Sequence, residues 1–559
     1  MTRDCFERRR HTELILILIA VGYFFLMWGN GIVSLTHPDE VFYVQSAKEM
    51  VSHNSWMTPL IFDQPQFEKP ILFFWLLALG IKSFGLTPFI ARFWPAFFAI
   101  VGVCAAYGIA WMLFRRKRTA FLAGVILASS FIYLAMARAV LTDVVFSVLV
   151  TLSIAFFCWA YEYRKRKRVG VILCLLFSAL AVLTKGILGF MFPAAAILIF
   201  LTSKKDLRFL KDWSTVMGLL VFVVVAVPWH VLMYRWYGHA FIEEYFYNVH
   251  LKRILIAEHP RLDSWYLYLG IMFGGILPWS LFWVPAGLLI SRQFRNKTES
   301  RDKLFFLLSW IAGIYMFVQP AHSKLASYIF PVFPAIAVIV AYYLDDALQK
   351  AEGTGRSRGL AICGYISSVF FIGVAAAGII AGKKYIEVIV NMWPVYIFSV
   401  LLSLAGCLIF IFALKQQYLR MIFSHVGVTA ILLVTLLFAK PYIEPWVSCE
   451  GISAVFNKID RSDSVVITSK FYVRGIRYYT DRKMAVIDIN GKGFFSPHPI
   501  PFLNTDQKVR DLLGTQAVTY AIVKEGNVED LKRIIQGHPY RLEELAGMGG
   551  KYILKIERI

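Results

Sequence analysis

The sequence predicts a polytopic α-helical membrane protein, and three observations lead to this fold class. Of the 559 residues, 58% are hydrophobic and 17% are charged, and the mean hydropathy is +0.61. The apolar residues come in long blocks, and clusters of Lys and Arg separate many of the blocks. A soluble domain has about 45–50% apolar and about 25% charged residues. The composition therefore excludes an ordinary soluble globular protein.

The apolar blocks predict the membrane spans. A run of about 17–25 apolar residues can cross the hydrocarbon core as a helix. The chain contains about thirteen such runs, which lie near 14–35, 89–114, 119–137, 140–163, 169–184, 186–202, 213–232, 265–290, 304–319, 328–344, 360–381, 393–414 and 421–440. The first run follows three arginines and has no small-x-small cleavage site, so we expect an uncleaved anchor rather than a signal peptide.

The basic clusters predict the orientation. They lie at 115–118, 164–168, 204–211 and 292–303, and they alternate with connections that contain fewer Lys and Arg residues. By the positive-inside rule these clusters and the N-terminus face the cytoplasm. An odd number of spans then places residues 441–559 on the outer side of the membrane. The net charge of +22 is therefore chiefly a topology signal, and we expect no nucleic-acid partner.

Two outer segments are large enough to have structure of their own. The segment 36–88 contains an apolar run at 71–84 that is short for a span, which predicts an amphipathic helix on the membrane surface or a re-entrant helix. After residue 440, β-rich runs alternate with amphipathic stretches, which predicts a small α/β domain. The predicted domains are thus 1–440, a transmembrane domain, and 441–559, an α/β domain on the outer side of the membrane. The β-rich runs lie at 465–468, 485–489, 520–523 and 552–556, and the helical stretches at 453–459, 507–513 and 528–535.

Polar residues beside membrane spans are costly and therefore informative. In the predicted topology a set from five outer connections gathers on one face of the bilayer. Its members are Asp39, Glu40, Glu68, Lys69, Arg138, Asp143, Lys185, His250, Lys252, Arg253, His322, Ser323, Lys324 and Tyr328. Carboxylates can act as general bases or bind metal, and cations can hold a phosphate leaving group. We expect a phosphate-linked substrate at the outer surface, with its apolar part in the lipid.

Single members of this set also have structural explanations. They are a helix cap at Asp39, a solvated ion pair at Glu68 and Lys69, headgroup contacts at Arg138, and a simple span end at Lys185. The prediction of a functional site therefore rests on the whole set of residues, because each residue alone can be explained by structure.

Seven short motifs then identify a family. They are His37-Pro38-Asp39-Glu40, Phe67-Glu68-Lys69-Pro70, Ala91-Arg92-Phe93-Trp94-Pro95, Ala137-Arg138, Thr142-Asp143, Leu183-Thr184-Lys185-Gly186 and Pro331 to Ala335. In this order, over about residues 14–345, they resemble the bacterial branch of the protein mannosyltransferase superfamily. Within that branch the chain is most similar to the aminoarabinose transferases that modify lipid A.

The resemblance implies an integral-membrane glycosyltransferase of the C-type fold. Such an enzyme takes a sugar from a polyprenyl phosphate on the periplasmic face and gives it to an acceptor, here a lipid such as lipid A or a protein. By similarity, Asp39 is the main catalytic candidate and Asp143 the second acidic position. The donor phosphate contacts are implied at Lys69, Arg253, Tyr328 and Lys185, with support from Glu40, Arg138 and Lys324. Glu68 matches a site for a divalent ion with His250 as its partner, and no other cofactor is implied.

The chain also departs from the family pattern. The motif Asp-Glu-x-Arg-Tyr usually carries a basic residue before its tyrosine, but here Phe42 precedes Tyr43. The run Glu-Lys-Pro-Pro-Leu has Ile71 in place of its second proline. These departures affect the assignment of lipid A and aminoarabinose more than the assignment of polyprenyl-phosphate chemistry.

Two other functions stay open at this point. One is a protein O-mannosyltransferase-like enzyme with a serine or threonine acceptor. The other, from a different class, is a transporter or lipid flippase, in which charged groups tend to lie near the midplane of broken helices. The gathering of charges at one face favours an enzyme.

Overall fold

The computed structural model describes residues 3–384, 393–460, 462–491, 493–494 and 500–559. The chain packs into two compact units. The first unit comprises Met1–Asn30, Lys69–Phe73 and Arg92–Phe438, and the second comprises Gly31–Glu68, Phe74–Ala91 and Ala439–Ile559. The C-terminal part of the second unit begins at Ala439, next to the predicted boundary, and most of the outer segment before residue 92 groups with it.

Most of the first unit consists of apolar helices. Within the described ranges nine helices are long and apolar enough to cross a membrane: Arg10–Met27, Pro88–Phe114, Thr142–Glu162, Arg164–Lys185, Trp213–Leu255, Ala326–Thr354, Arg358–Lys383, Trp393–Leu414 and Tyr418–Phe438. Two bent helix pairs, Lys117–Ala128 with Phe131–Ala137 and Leu267–Gly275 with Ser280–Arg295, bring the number to as many as eleven. A polytopic helical membrane protein is thus confirmed.

The remaining two of the thirteen predicted spans are also helical but fall short of the same criteria. The helix Leu188–Ser203 has only 16 residues. The helix Ser300–Val318 has 19 residues and begins with the charged residues Arg301, Asp302 and Lys303. The count of thirteen stays a prediction.

The helix that contains Ala326–Thr354 is the most buried of these spans, whereas Trp213–Leu255 is mostly exposed, as a lipid-facing helix would be. At the end that is predicted to be cytoplasmic, the fully buried Asp345 accepts hydrogen bonds from Arg118 Nε at 2.5 Å and Thr119 Oγ1 at 2.7 Å. A buried carboxylate needs such partners because its desolvation is otherwise uncompensated. This contact fixes the position of the helix Lys117–Ala128 on the helix Phe333–Thr354.

The second unit begins with the outer segment. Its helix Asp39–Ser52 is followed by a short hairpin of strands β1 (Leu60–Ile61) and β2 (Gln64–Pro65). The apolar run at 71–84 forms the 13-residue helix Leu72–Phe84. The outer segment is tied to the C-terminal part of the chain by backbone pairing of Thr36 with Ser448 and by a 2.8 Å hydrogen bond from Ser34 N to Glu444. These contacts are the reason that the two segments form one unit.

The C-terminal part contains a six-stranded mixed sheet, so the predicted small α/β domain is confirmed. Its strands are β3 (Val466–Ser469), β4 (Met484–Ile487), β5 (Phe502–Leu503), β6 (Val518–Lys524), β7 (Tyr540–Met548) and β8 (Lys551–Arg558), in the order β5-β4-β3-β6-β8-β7. The strands β3 to β6 are parallel, and β8 and β7 continue the sheet in antiparallel fashion. The helices are Lys440–Val447, Glu450–Ile459, Val473–Thr480, Asp506–Gly514 and Glu525–Ile535.

The hairpin between β7 and β8 lies against the helix Lys440–Val447. The fully buried Lys551 donates a hydrogen bond from Nζ to the Pro445 carbonyl at 2.7 Å, and a cation is favourable at a helix C-terminus. In the hairpin turn, Gly549 has a φ of +55°, and a Cβ atom there would lie 1.9 Å from the Pro445 oxygen. Glycine is therefore required at this position by conformation and by space.

We expect Gly549→Ala to destabilise the C-terminal domain. The left-handed conformation costs a non-glycine residue about 1–3 kcal/mol, and the backbone clash adds to that cost. The melting temperature of the full chain in detergent, followed by tryptophan fluorescence, should fall by about 5–10 °C. The control is Gly526→Ala, where a Cβ meets nothing within 4 Å. Equal melting temperatures for the two variants would contradict the tight packing of this turn.

Candidate functional site

The outer segment of the second unit carries three of the predicted site residues. The helix begins at Asp39, and Pro38 occupies the capping position without a side-chain cap. Asp39 is exposed, whereas Glu40 is buried and accepts hydrogen bonds at 2.8 Å from both the backbone N and the Oγ1 of Thr36. The local turn is thus held by Glu40, and Asp39 is not the helix cap. Glu40 therefore supports the turn from a buried position, as predicted for a supporting residue. Asp39 lies exposed at the N-terminus of the helix.

The residue two positions before Asp39 is held rigidly. His37 is buried, its backbone N donates to the Val447 carbonyl at 3.1 Å, and its ring lies edge-on to the rings of Phe471 and Tyr472. Burial, followed by the charge of Lys551, lowers the pKa of His37 to about 4. The imidazole is therefore neutral at physiological pH, and the start of the helix is anchored by packing rather than by charge.

Glu68 has a partner within the second unit. Its Oε1 lies 3.6 Å from the guanidinium of Arg474, and the exposed fractions of the two side chains are 13% and 16%. The Glu68 backbone N also donates to Gln66 Oε1 at 3.1 Å. Glu68 is therefore not part of a solvated surface ion pair. Its side chain is half-buried and is oriented by its neighbours.

The first unit brings several predicted cation and acid positions together. The ammonium of Lys185 donates a short hydrogen bond to Asp143 Oδ1, and the exposed fractions of these side chains are 9% and 8%. Lys185 Nζ also lies 4.9 Å from the centre of the Tyr328 ring, a cation–π contact. Lys185 is thus more than a span end, because its charge is buried and paired.

Arg253 extends this cluster. Its guanidinium is a hydrogen-bond partner of the Tyr328 hydroxyl and lies 3.4 Å from Glu258. Lys69, which is buried, and Arg253 both interact electrostatically with His250. The structure therefore groups the four predicted phosphate contacts and Asp143 within one unit.

His250 and Lys185 are linked by a close approach. Gly186, which follows Lys185, has a φ of +86°, and a Cβ there would lie 2.6 Å from His250 Nε2. His250 Nδ1 is 2.6 Å from the carbonyl of Tyr245, and because a carbonyl only accepts, Nδ1 carries the proton. The lone pair is then on Nε2. The glycine in the Thr-Lys-Gly motif is required by this contact.

Two supporting residues have structural partners. Arg138 donates to the carbonyls of Phe25 and Trp28 at 3.1 and 2.9 Å, so it holds the end of the first helix rather than extending to headgroups. Lys324 donates to Asp263 at 2.5 Å. Hydrogen bonds from Lys324 and His322 hold the pKa of Asp263 below its usual value. These residues shape the outer loops.

The resemblance implies a divalent ion with Glu68 and His250 as ligands. The Nε2 lone pair of His250 suits a ligand whose ring is oriented by a backbone carbonyl. Among the residues that the structure describes, however, no three His, Cys, Asp or Glu side chains are arranged to hold a metal ion. The ion stays a prediction, and no reaction step below passes through it.

Sequence reasoning missed three residues that organise the cluster. Glu258 pairs with Arg253, Asp263 pairs with Lys324, and the buried Tyr245 orients His250. The only signal in the sequence is that all three lie in the same outer connection as His250, after the seventh predicted span.

Comparisons with known proteins give a matching family model and several relatives. The family model of dolichyl-phosphate-mannose-protein mannosyltransferase matches residues 14–242. An uncharacterised protein of Aquifex aeolicus is 28% identical over 501 residues, which cover 87% of this chain and 92% of that protein. The undecaprenyl phosphate-alpha-4-amino-4-deoxy-L-arabinose arabinosyl transferase of Yersinia enterocolitica is 28% identical over 364 residues, 64% of each chain. The match thus spans slightly less than two thirds of that transferase.

A solved structure shows the same fold. ArnT from Cupriavidus metallidurans, bound to undecaprenyl phosphate, aligns over 97% of this chain and 98% of its own with a TM-score of 0.76 and 18% identity. The chain is thus similar in sequence to members of the bacterial branch of the protein mannosyltransferase superfamily, and it shares the fold of ArnT. The predicted C-type fold, the similarity to aminoarabinose transferases and the class of enzyme, a glycosyltransferase, are thereby confirmed. Its location as a multi-pass inner-membrane protein is confirmed as well.

We expect the Asp143 and Lys185 charges to be interdependent. Removing one partner of a buried ion pair leaves the other uncompensated and costs about 3–5 kcal/mol. Asp143→Asn and Lys185→Met should each lower the detergent melting temperature, and the double variant should recover part of the loss. A double variant that melts at the sum of the two single losses would show that the charges do not depend on each other.

Proposed function

We propose that this protein transfers a sugar from a polyprenyl-phosphate donor to a lipid acceptor on the periplasmic face of the inner membrane. The observation that carries the proposal is the position of Tyr328, whose ring faces the buried ammonium of Lys185 and whose hydroxyl bonds Arg253. The Tyr328 side chain thus contacts two cations, Lys185 and Arg253, among apolar helices. Such a pair of cations is suited to bind an anionic group at the membrane surface. A phosphate that carries a polyprenyl chain is such a group.

Asp143 explains how a cation is kept in this environment. A buried charge needs a partner that compensates for its lost hydration, and the short hydrogen bond between Lys185 and Asp143 provides that compensation. We assign Lys185, Arg253 and the nearby Lys69 to the donor phosphate, with the Tyr328 hydroxyl as a further donor. Positive charge that is fixed in advance stabilises the negative charge that develops on a departing phosphate.

The reaction is a displacement at the anomeric carbon. An oxygen of the acceptor attacks that carbon, the bond to the phosphate oxygen breaks, and polyprenyl phosphate leaves with the electron pair, so the configuration inverts. If the acceptor is a hydroxyl, Asp39 takes its proton as general base, which contributes about 10²–10⁴-fold. If the acceptor is a phosphate there is no proton to remove, and Asp39 then orients one of the substrates.

The relatives support the donor class. The Yersinia enterocolitica relative is named for undecaprenyl phosphate and aminoarabinose, and the ArnT structure contains undecaprenyl phosphate. We extend to this chain the polyprenyl-phosphate donor and a lipid acceptor similar to lipid A. We also propose a cytoplasmic N-terminus and a periplasmic C-terminal domain.

We expect Asp39→Asn to lower sugar transfer at least about 100-fold when the acceptor is a hydroxyl, because the amide cannot take the proton. The assay uses detergent-purified protein, undecaprenyl-phosphate-linked aminoarabinose and lipid A, with the product measured by mass spectrometry. The matched control is Asp63→Asn, which changes another exposed acid of the same segment. Full activity of a well-folded Asp39→Asn variant would remove Asp39 from the mechanism.

The acceptor class is tested in cells with and without the protein. Mass spectrometry of the lipid and protein fractions should show an added sugar mass on a glycolipid only when the protein is present. A sugar mass on serine or threonine of a protein would overturn the lipid acceptor. Movement of a solute across proteoliposomes without any covalent product would overturn the transfer reaction.

A further inference from the structure

The C-terminal domain contributes an arginine to the surroundings of Glu68. The helix Val473–Thr480 follows strand β3 and packs against the helix Asp39–Ser52 of the outer segment. Arg474, in its first turn, lies 3.6 Å from Glu68 Oε1. Its guanidinium carbon also lies 4.4 Å from the centre of the Phe42 ring. One side chain thus contacts both halves of the outer segment.

Phe42 is the position at which the chain departs from the family motif. The Asp-Glu-x-Arg-Tyr pattern would place a basic residue there, three residues after Asp39, but the chain has a buried aromatic ring. A guanidinium on the face of an aromatic ring is attracted by its quadrupole, with about 0.5–2 kcal/mol depending on desolvation. The ring therefore forms a platform for a cation that comes from elsewhere in the sequence.

We propose that Arg474 is a positioning residue that supplies from the C-terminal domain the positive charge absent at position 42. It rests on Phe42 and holds the Glu68 carboxylate in its orientation. The proposal depends on the proposed function, in which Glu68 belongs to the site. The C-terminal domain is then part of the machinery that orients the acidic residues, rather than an appendage.

A neighbouring arginine provides the contrast. Arg477, on the same helix, lies 2.7 Å from Asp63 and donates to the carbonyls of Asp481 and Arg482 at 3.0 and 3.1 Å. Its exposed fraction is 13%, close to the 16% of Arg474, but Asp63 is 51% exposed and is not a site residue. Arg477 therefore attaches the same helix to the same segment without contact to Glu68.

The geometry at position 474 favours arginine over lysine, although both side chains carry a positive charge. A planar guanidinium stacks on a ring and presents several N–H donors in one plane, whereas a lysine ammonium is a point charge on a flexible stem. Lysine at position 474 can satisfy the charge of Glu68 but stacks less well on Phe42. We therefore expect Arg474→Lys to be intermediate between the wild type and a neutral variant.

The test compares four variants in the lipid A transfer assay: Arg474→Met, Arg474→Lys, Arg477→Met, and the double variant Phe42→Arg with Arg474→Met. Loss of a residue that orients a site group typically costs about 10–100-fold in activity. We expect Arg474→Met to lower kcat by about that factor, and Arg477→Met to stay near the wild type. The double variant should regain at least about fivefold over Arg474→Met, because position 42 then carries the charge.

The controls separate positioning from stability and from the proposed function. Arg477→Met should melt no higher than Arg474→Met, since it loses two hydrogen bonds to backbone carbonyls as well as its ion pair. A lower activity of Arg474→Met alone is then not explained by lower stability. If both variants lose activity equally, or if the double variant regains nothing, Arg474 only holds the domain in place and the proposal is wrong. If the wild type itself transfers no sugar, the proposed function fails, and the role of Arg474 fails with it.

Discussion

A charge that is buried among apolar helices must find a counter-charge, and in this protein Lys185 finds Asp143. The cost of leaving an ammonium or carboxylate unpaired in such surroundings is several kcal/mol. The pair therefore fixes how the helices Thr142–Glu162 and Lys167–Lys185 meet. Because Gly186 has no side chain, the His250 ring can approach its backbone closely. The Tyr328 ring lies over the Lys185 ammonium. The pair thus lies beside two of the proposed phosphate contacts, Lys185 itself and Tyr328.

The acidic residues of the site depend on a different constraint. Asp39 and Glu68 lie in the outer segment between two membrane spans. The packing of membrane helices against lipid and against each other therefore does not determine the shape of this segment. The segment is instead tied to the C-terminal part of its unit by the Thr36–Ser448 pairing, the buried His37 and the Lys48–Asp481 ion pair at 2.7 Å. An exposed ion pair alone contributes little. The backbone pairing and the burial of His37 give the segment its fixed form.

The sequence predicted what depends on composition and periodicity. Long apolar runs and basic clusters located the helices, and alternating patterns located four of the six strands of the C-terminal sheet. The strand Tyr540–Met548 was missed because it is an edge strand that pairs only with its neighbour and is largely exposed, so it has no clear alternation. The helix Val473–Thr480 was missed because its apolar face is short and its remaining residues are polar. A local sequence pattern fails to predict a helix or strand that is stabilised mainly by the element it packs against.

The site residues show the same limit at a larger separation. Asp143 and Lys185 could each be selected from the sequence, but their pairing depends on how two helices pack, which no local pattern encodes. Arg474 could not be selected at all, because it lies in a domain without a recognisable catalytic motif and 406 residues after Glu68. The missing basic residue at Phe42 was visible in the sequence as a departure from the family. In the structure the ring of Phe42 carries a guanidinium, so a residue that a motif lacks at one position can be supplied by a distant part of the same chain.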